Sequence, residues 1–539
     1  MTAALANQAD LQARLVRALC NPVAHGPAVH SVAVIETHIS TVLLTGTYAY
    51  KIKKPVNLGF LDFSTLALRK RCCDDELRLN RRLAPDLYLG VVAIAGTPDA
   101  PVIGGAGPAI EHAVKMREFA QDGLLSRVLA RGELTALQVD ALAAQVAAFH
   151  GRVDVAAADG PYGSPAAILR YARQNLDQIG PLDPDPADLA ALAALETWTR
   201  REHAERLDAF AARRSGGFIR ECHGDLHLGN VALVDGGLTI FDCLEFNAEL
   251  RWIDIASDVA FVAMDLTDRG RADFAHRFVN AWLEVTGDYA ALPVLPFYLV
   301  YRALVRAKVA CLRGAQLPTG PAKAALAAEF RGYLRLAQGY AAPARGAIAI
   351  THGPAGSGKT TLSQTLLEAV GAIRVRSDIE RKRLAGLAAT ADSGSEIAGG
   401  LYTGEATART YERLAELARA IAANGRIAIV DATFLARAQR NRFRALAADI
   451  GVPFVILSFA ASEAALRERI VARARRGDDA SEADLAVLAR QLATQEPLAA
   501  DELSSVVSYD GDAPFAAGGA ARWRTVAARL AGDERAGAG

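Results

Sequence analysis

The sequence predicts two folds in series: a two-lobed α+β module, then an α/β module built on a doubly wound parallel sheet. Three observations carry this. Residues 31–53 and 88–119 read as short strands joined by turns, and residues from 134 to about 339 turn to helical periodicity. At Ala347 the chain starts again, with an apolar strand running into a glycine-rich loop and a helix, after which strands and helices alternate. The 539 residues allow about three to four domain-sized units, which two lobes and one further domain satisfy. The boundaries drawn are 1–340 for the first module, with a small lobe over about 30–120 and a helical large lobe over about 121–340. Residues 341–346 (Ala-Ala-Pro-Ala-Arg-Gly) form a linker, and 347–530 the second module.

Composition narrows the function classes. Lys+Arg 60 against Asp+Glu 60 removes any global attraction to nucleic acid or membrane. No run of eighteen apolar residues suggests a membrane span, and the first residues lack a basic start followed by an apolar core. The six cysteines contain no C-x-x-C, which suggests reduced thiols. A cytoplasmic location is therefore expected, with oligomeric state left open.

In the first module, residues 9–20 read as an amphipathic helix. Strands 31–37 and 41–44 precede Tyr48-Ala-Tyr-Lys-Ile-Lys-Lys, whose period of two puts Lys51 and Lys53 on one face. A helix over 71–83 follows, then strands at 88–94 and 111–119, then helices over 134–150, 166–178 and 186–212. The chemistry concentrates in Glu221-Cys-His-Gly-Asp-Leu-His-Leu-Gly-Asn-Val231 and Ile240-Phe-Asp-Cys-Leu-Glu245. Phosphoryl transfer needs a carboxylate to accept the proton of the attacking hydroxyl, and an amide and second carboxylate to hold Mg²⁺ on the phosphates. Asp225 is the candidate base; Asn230, at D-x-x-x-x-N spacing, and Asp242 are the candidate metal ligands. Val231–Val234, Asp-Gly-Gly and Leu238–Phe241 read as a hairpin that would return Asp242 beside Asn230. His223 and His227 read as loop-ordering residues, since no second pair supports a zinc site.

His-Gly-Asp-Leu-His-Leu-Gly-Asn resembles the catalytic loop of the aminoglycoside phosphotransferase and choline kinase family, which has a protein-kinase-like fold. The resemblance implies a strand lysine on the nucleotide phosphates, Lys51 with Lys53 as the alternative, and a helix partner at Glu76, with Asp75 close by. It places Met116 to Phe119 at the inter-lobe hinge, and has Asp254 or Asp258 orient the catalytic loop from the helix after the metal ligand. The G-x-G-x-x-G loop of protein kinases is absent, as it often is in this family.

In the second module, Gly353-Pro-Ala-Gly-Ser-Gly-Lys-Thr-Thr361 fits G-x-x-x-x-G-K-T between a strand and a helix. Gly353, Gly356, Ser357, Gly358 and Thr361 shape a phosphate cradle, Lys359 reaches the outer phosphates, and Thr360 ligates Mg²⁺. Strands 374–378 and 426–431 end in Asp378 and Asp431, the latter a metal-assisting position. A helix over 405–423, a strand over 453–459 and an arginine-rich helix from Glu463 precede a Gly477–Ala480 break and a helix opened by a capping box at Ser481 and Asp484. These details resemble the small P-loop kinases, such as polynucleotide kinase, zeta toxin and gluconate kinase. The resemblance makes Asp378 either an acceptor base or a ligand of metal-bound water. It makes Arg467, Arg469 and Arg473 part of a closing lid, and counts Arg437 and Arg440 among the family's features.

The order of modules matches a bacterial class of fused phosphotransferase/ATP-binding proteins. The implied chemistry is ATP- and Mg²⁺-dependent transfer from two sites to small-molecule hydroxyl acceptors. The alternative is a regulatory protein in which one nucleotide site senses and does not transfer.

Overall fold

The computed structural model describes residues 3–57, 61–179, 185–389, 403–476, 481–512 and 523–532. Its packing defines two compact units: Met1–Asp265 with Val294–Tyr340, and Leu266–Pro293 with Ala341–Gly539. The sequence assigned all of 1–340 to the first module; in the packing, Leu266–Pro293 clusters with the second unit, its helix Ala272–Thr286 lying against helix Lys359–Val370 and strand Ile373–Arg376.

The first unit opens with helix Ala3–Leu19 and a six-stranded antiparallel sheet. Its strands are β1 (Ala33–Glu36), β2 (Ser40–Leu44), β3 (Tyr48–Lys53), β4 (Tyr88–Thr97), β5 (Ala100–Ile103) and β6 (Glu111–Arg117), in the order β1-β2-β3-β6-β4-β5. The short β5 was not read from sequence, since its Pro101 argues against a strand and is tolerated there because β5 is an edge. One group of sheet side chains (Leu43, Ile52, Ile94, Ala113) packs on Leu15 and Leu19. Val114 and Tyr88 pack instead with Cys73 of helix Leu66–Asn80. Each fully buried Leu or Ile here contributes roughly 2 kcal/mol. The helix starts where Thr65 accepts a hydrogen bond from Leu68 N at 3.2 Å.

The helical lobe contains Ala136–Arg152, Pro165–Ile179, Leu295–Ala315 and Pro321–Ala341. The helix expected over 186–212 is two, Pro186–Glu205 and Leu207–Ser215, broken where Arg206 leaves helical geometry (φ −108°, ψ 13°). Two small ribbons carry the site. β7 (Ile219–Glu221) pairs antiparallel with β10 (Trp252–Asp254), and β8 (Val231–Val234) with β9 (Gly237–Ile240). The β8–β9 turn uses Asp235 and Gly236, both left-handed (φ 52° and 80°), as an Asp-Gly hairpin turn requires. The helix expected after Asp242 begins only at Ile255 and runs to Asp268, so Asp254 lies in β10.

The second unit is a five-stranded parallel sheet in the order β12-β13-β11-β14-β15. Its strands are β11 (Ala347–His352), β12 (Ile373–Arg376), β13 (Ile427–Asp431), β14 (Phe454–Ala460) and β15 (Val506–Asp510). Near-continuous apolar runs fit strands covered on both faces: β11 is buried at every residue. Leu366, Leu367, Ile429, Leu457 and Trp523 form one core layer. Asp378, expected at a strand end, lies in the first turn of helix Ser377–Leu384, because the strand stops at Arg376. The capping box expected at Ser481 is replaced by a single cap, Asp484 accepting from Val487 N at 2.8 Å, so the helix begins at Leu485. The Gly477–Ala480 break lies outside the described residues. Among the described residues, no helix is long and apolar enough to cross a membrane.

Candidate active sites

In the first unit the loop after β7 is held by its backbone. Asp258, fully buried, accepts His223 N at 2.9 Å and Gly224 N at 3.0 Å. Asp265 accepts Leu228 N at 2.9 Å, and Arg302 donates to Gly224 O at 2.9 Å. Asp258 is thus the loop-orienting acid. Asp254, the other candidate, is bound to Arg213 at 2.6 and 2.8 Å. His223 accepts Asp225 N on Nδ1 at 3.2 Å and donates from Nε2 to Phe241 O at 2.9 Å, which fixes a neutral tautomer. Burial pushes its pKa down, in keeping with that form.

Asp225 is brought against Asn230, whose Nδ2 donates to Asp225 O at 2.9 Å and to Oδ2 at 3.1 Å. His227 accepts Gly229 N on Nδ1 at 3.0 Å and sets Nε2 3.5 Å from Asp225 Oδ2. Burial raises the Asp225 pKa, but the hydrogen bond from His227 and the charge of Arg306 outweigh it, so the carboxyl is held below its ordinary range. The hairpin closes as its sequence implies: Phe241 N donates to Asn230 O at 3.0 Å, so Phe241 lies opposite Asn230 and Asp242 is the next residue along. Asp242 is left-handed (φ 64°), a conformation that costs a non-glycine residue about 1–3 kcal/mol. Tyr88 OH accepts its N–H at 3.2 Å, and Asn80 Oδ1 accepts Cys243 N at 2.8 Å.

Lys51 binds Glu76 Oε1 at 2.9 Å and also Asp242. Lys53 binds the other oxygen of Glu76 together with Glu245, and none of its side chain is exposed. Burial opposes charge on Lys51, yet Asp242 and Glu76 raise its pKa well above the ordinary lysine value. Of the two candidate lysines, Lys51 is the one that meets Asp242. Glu76 rather than Asp75 is the helix partner, since Asp75 faces Arg78 at 3.7 Å on the surface. Met116 packs half-buried among Leu87, Tyr88 and Val114, and Phe119 meets Phe241 edge-on at 5.3 Å. The N–H groups of Arg117 and Glu118 are already used on Leu87 O and Thr47 O. A separate cavity lined by Tyr162, Tyr171, Trp252, Phe297 and Tyr301 contains none of Asp225, Asn230 or Asp242.

In the second unit β11 ends at His352 and the loop from Gly353 turns into helix Lys359–Val370. Gly353 sits at φ 141°, where an added Cβ would lie 2.5 Å from Phe459 O. Gly356 and Gly358 are also left-handed (φ 81° and 88°), Ser357 is fully buried, and Thr361 is exposed in the first helical turn. Lys359 Nζ donates to Pro354 O at 2.7 Å. Burial lowers its pKa to about 8, against the opposing pull of Asp431 and Asp378. Thr360 Oγ1 donates to Asp431 Oδ2 at 2.8 Å, and Thr351 reaches the other oxygen at 3.4 Å. A hydroxyl and a carboxylate side by side at a helix start are a fitting donor set for Mg²⁺ beside phosphates.

The arginines divide by contact. Arg469 donates to Gly356 O at 3.3 Å and Gly511 O at 2.6 Å, against the loop, and Arg473 donates to Ala483 O at 2.7 Å. Arg467 pairs with Glu463 at 2.7 Å on the surface. Arg440, fully buried, binds Glu502 at 2.8 and 3.0 Å and several carbonyl oxygens; it is a staple for the 496–502 segment, with Arg437 paired to Asp501 beside it. Sequence reasoning missed the contact of His227 with Asp225, for which its spacing from Asp225 was the available signal. It also missed Gln491, which accepts Ala355 N at 2.8 Å and is marked by no motif.

Comparison with known proteins finds two families in series. Residues 70–295 match the phosphotransferase enzyme family, and residues 348–498 match an AAA domain. Rv2004c of Mycobacterium tuberculosis and Mb2027c of Mycobacterium bovis are each 33% identical over 457 residues, covering 85% of this chain and 89% of theirs. The chain belongs to the same family as Rv2004c. Solved structures similar to parts of this Rv2004c-family chain are kinases of both kinds. One is a choline/ethanolamine kinase family protein from Mesorhizobium loti (12% identity, 61% of this chain and 97% of that one, TM-score 0.37). Another is a gluconokinase from Sinorhizobium meliloti (22% identity, 36% and 93%, TM-score 0.25). By its two family matches the chain is a phosphotransferase-family unit followed by a P-loop unit, which supports phosphotransferase activity in general terms.

Proposed function

We propose that each unit transfers the γ-phosphate of ATP to the hydroxyl of a small molecule. The observation that carries this reading is the convergence of Asp225, Asn230, Asp242 and Lys51, which are distant in sequence, with every acid oriented by a named donor. Bound Mg²⁺·ATP would supply the phosphoryl group and charge neutralisation. Around it, Asp225 orients the acceptor hydroxyl and takes its proton, while Asn230 keeps that carboxylate turned toward the loop. Lys51, fixed by Glu76, holds phosphate oxygens, and Asn230 and Asp242 hold the metal.

At the second site Lys359 leaves Pro354 O for phosphate, Thr360 and Asp431 hold the metal, Arg469 and Arg473 cover the phosphates, and Asp378 receives the acceptor proton. Lys359 and Ala355 N are satisfied internally in the ligand-free chain, so nucleotide must displace Pro354 O and Gln491.

The test is a screen of sugars, nucleosides, amino alcohols and aminoglycosides with labelled ATP, using wild type, Asp225→Ala and Lys359→Ala in parallel. Two sets of products, one lost with each variant, are expected. Transfer that survives Asp225→Ala intact and disappears with Lys359→Ala would make the first unit a nucleotide sensor, and no labelled product from any preparation would overturn the reading.

A further inference from the structure

We propose that Glu284 and Arg374 form a positioning pair for the P-loop, and that helix Ala272–Thr286, whose sequence falls inside the phosphotransferase match, is a working part of the second site. The inference rests on the reading of that site as a nucleotide site.

The helix is joined to the second unit by directed polar contacts as well as apolar packing. Asn280, fully buried, donates to Ala372 O at 2.9 Å and accepts Arg374 N at 2.8 Å, which completes the hydrogen bonding of the residues entering β12. His276 Nδ1 meets Glu368 O at 2.9 Å, and Arg277 binds Glu368 at 2.8 Å. Glu284 pairs with Arg374 at 3.0 Å and lies 4.0 Å from Arg376. Arg383 donates to Glu284 O at 2.6 Å. Asn280 and Glu284 are one helical turn apart and so share a face, the geometry a helix needs to grip one strand.

Arg374 carries the consequence to the site. Its Nε and Nη2 are taken by Glu284 at 3.3 and 3.0 Å. Its Nη1 donates to Thr360 O at 2.9 Å and Ser363 Oγ at 3.3 Å. Arg374 is 4% exposed, so its charge is compensated by Glu284 and its planar donor fork has one available pose. Thr360 is the residue whose hydroxyl meets Asp431. Fixing the Thr360 carbonyl from behind fixes the first turn of helix Lys359–Val370, and with it the direction of the Thr360 hydroxyl. Without Glu284 the guanidinium is buried and uncompensated, and it would lose its single pose.

The experiment uses the full chain carrying Asp242→Ala, so that the first site does not contribute, and measures ATP binding by titration calorimetry with and without Mg²⁺. Lys359→Ala in this background must lower ATP binding; if it does not, the nucleotide-site reading fails and this inference with it. Given that control, Glu284→Ala and Arg374→Met should each weaken Mg²⁺·ATP binding about tenfold while changing Mg²⁺-free ATP binding about twofold or less. Glu284→Gln, which keeps an acceptor for the fork, should recover most of the loss, and the double variant should cost no more than either single one. Equal weakening with and without Mg²⁺, additive effects, or wild-type binding in both variants would overturn the proposal. Should Glu284→Ala not fold, Glu284→Gln and Arg374→Met carry the same comparison.

Discussion

Lys359 offers a prediction whose size follows from its surroundings. Burial lowers its pKa to about 8. Phosphate oxygens in contact with the ammonium would restore it toward or above the ordinary lysine value of about 10.4. Binding at the second site must therefore take up a proton wherever the free lysine is neutral and the bound one is charged. At pH 8.5 roughly three quarters of free Lys359 is neutral, and at pH 7 roughly a tenth. The expected uptake is about 0.7 proton per ATP at pH 8.5 and about 0.1 at pH 7, with affinity falling by roughly 0.7 of a decade per pH unit near 8.5. The first site adds almost nothing, because Lys51 is charged throughout this range. Titration calorimetry in buffers of different ionisation enthalpy measures the uptake directly. Equal uptake at both pH values, or uptake at pH 8.5 that persists in Lys359→Met, would refute the reasoning. The same shift has a sign for stability. Between about pH 8 and 10.5 the folded ligand-free chain binds fewer protons than the unfolded one, so this contribution improves as pH rises through that window. Below pH 8 the deficit is complete and on the order of 3 kcal/mol, so Lys359→Met should raise the melting temperature of the second unit at pH 7.

Three further outcomes are expected. Asp258→Asn removes a charged acceptor from two buried N–H groups and presents an amide donor to one of them. It should cost about 3 kcal/mol or more in urea unfolding of the first unit and abolish transfer at the first site only. Lys53→Met strands Glu245 and should destabilise by about 3–5 kcal/mol, largely recovered by adding Glu245→Leu, whereas Lys51→Met should remove phosphoryl transfer with a smaller change in unfolding. Gly353→Ala should cost about 1–3 kcal/mol from its backbone angle alone and weaken ATP binding at the second site, because the methyl would meet Phe459 O and Ser357 Oγ.

What was legible in the sequence follows from the range of the forces involved. The P-loop and the β8–β9 hairpin depend on residues within about ten positions of one another, and both fold as their glycines and Asp-Gly turn demand. Asp225, Asn230 and Asp242 belong to such local geometry. The choice between Lys51 and Lys53 does not, because period two puts both on one face and both reach Glu76. What separates them is the second carboxylate each meets, Asp242 or Glu245, three positions apart on a segment nearly two hundred residues away. The two lysines are one pleat repeat apart, and Lys51 meets Asp242 while Lys53 meets Glu245. No spacing rule along the chain contains that distinction. The assignment of Ala272–Thr286 was illegible for the same reason. Its helical period is clear, but Asn280 and Glu284 are informative only once β12 supplies Arg374 and an open carbonyl at Ala372. A polar residue on a helix face records that a partner exists without recording where in the sequence it lies. The break drawn at 341–346 is also where the packing divides the chain; what the sequence left out is the second division, around Leu266–Pro293, where Asn280 and Glu284 find their partners.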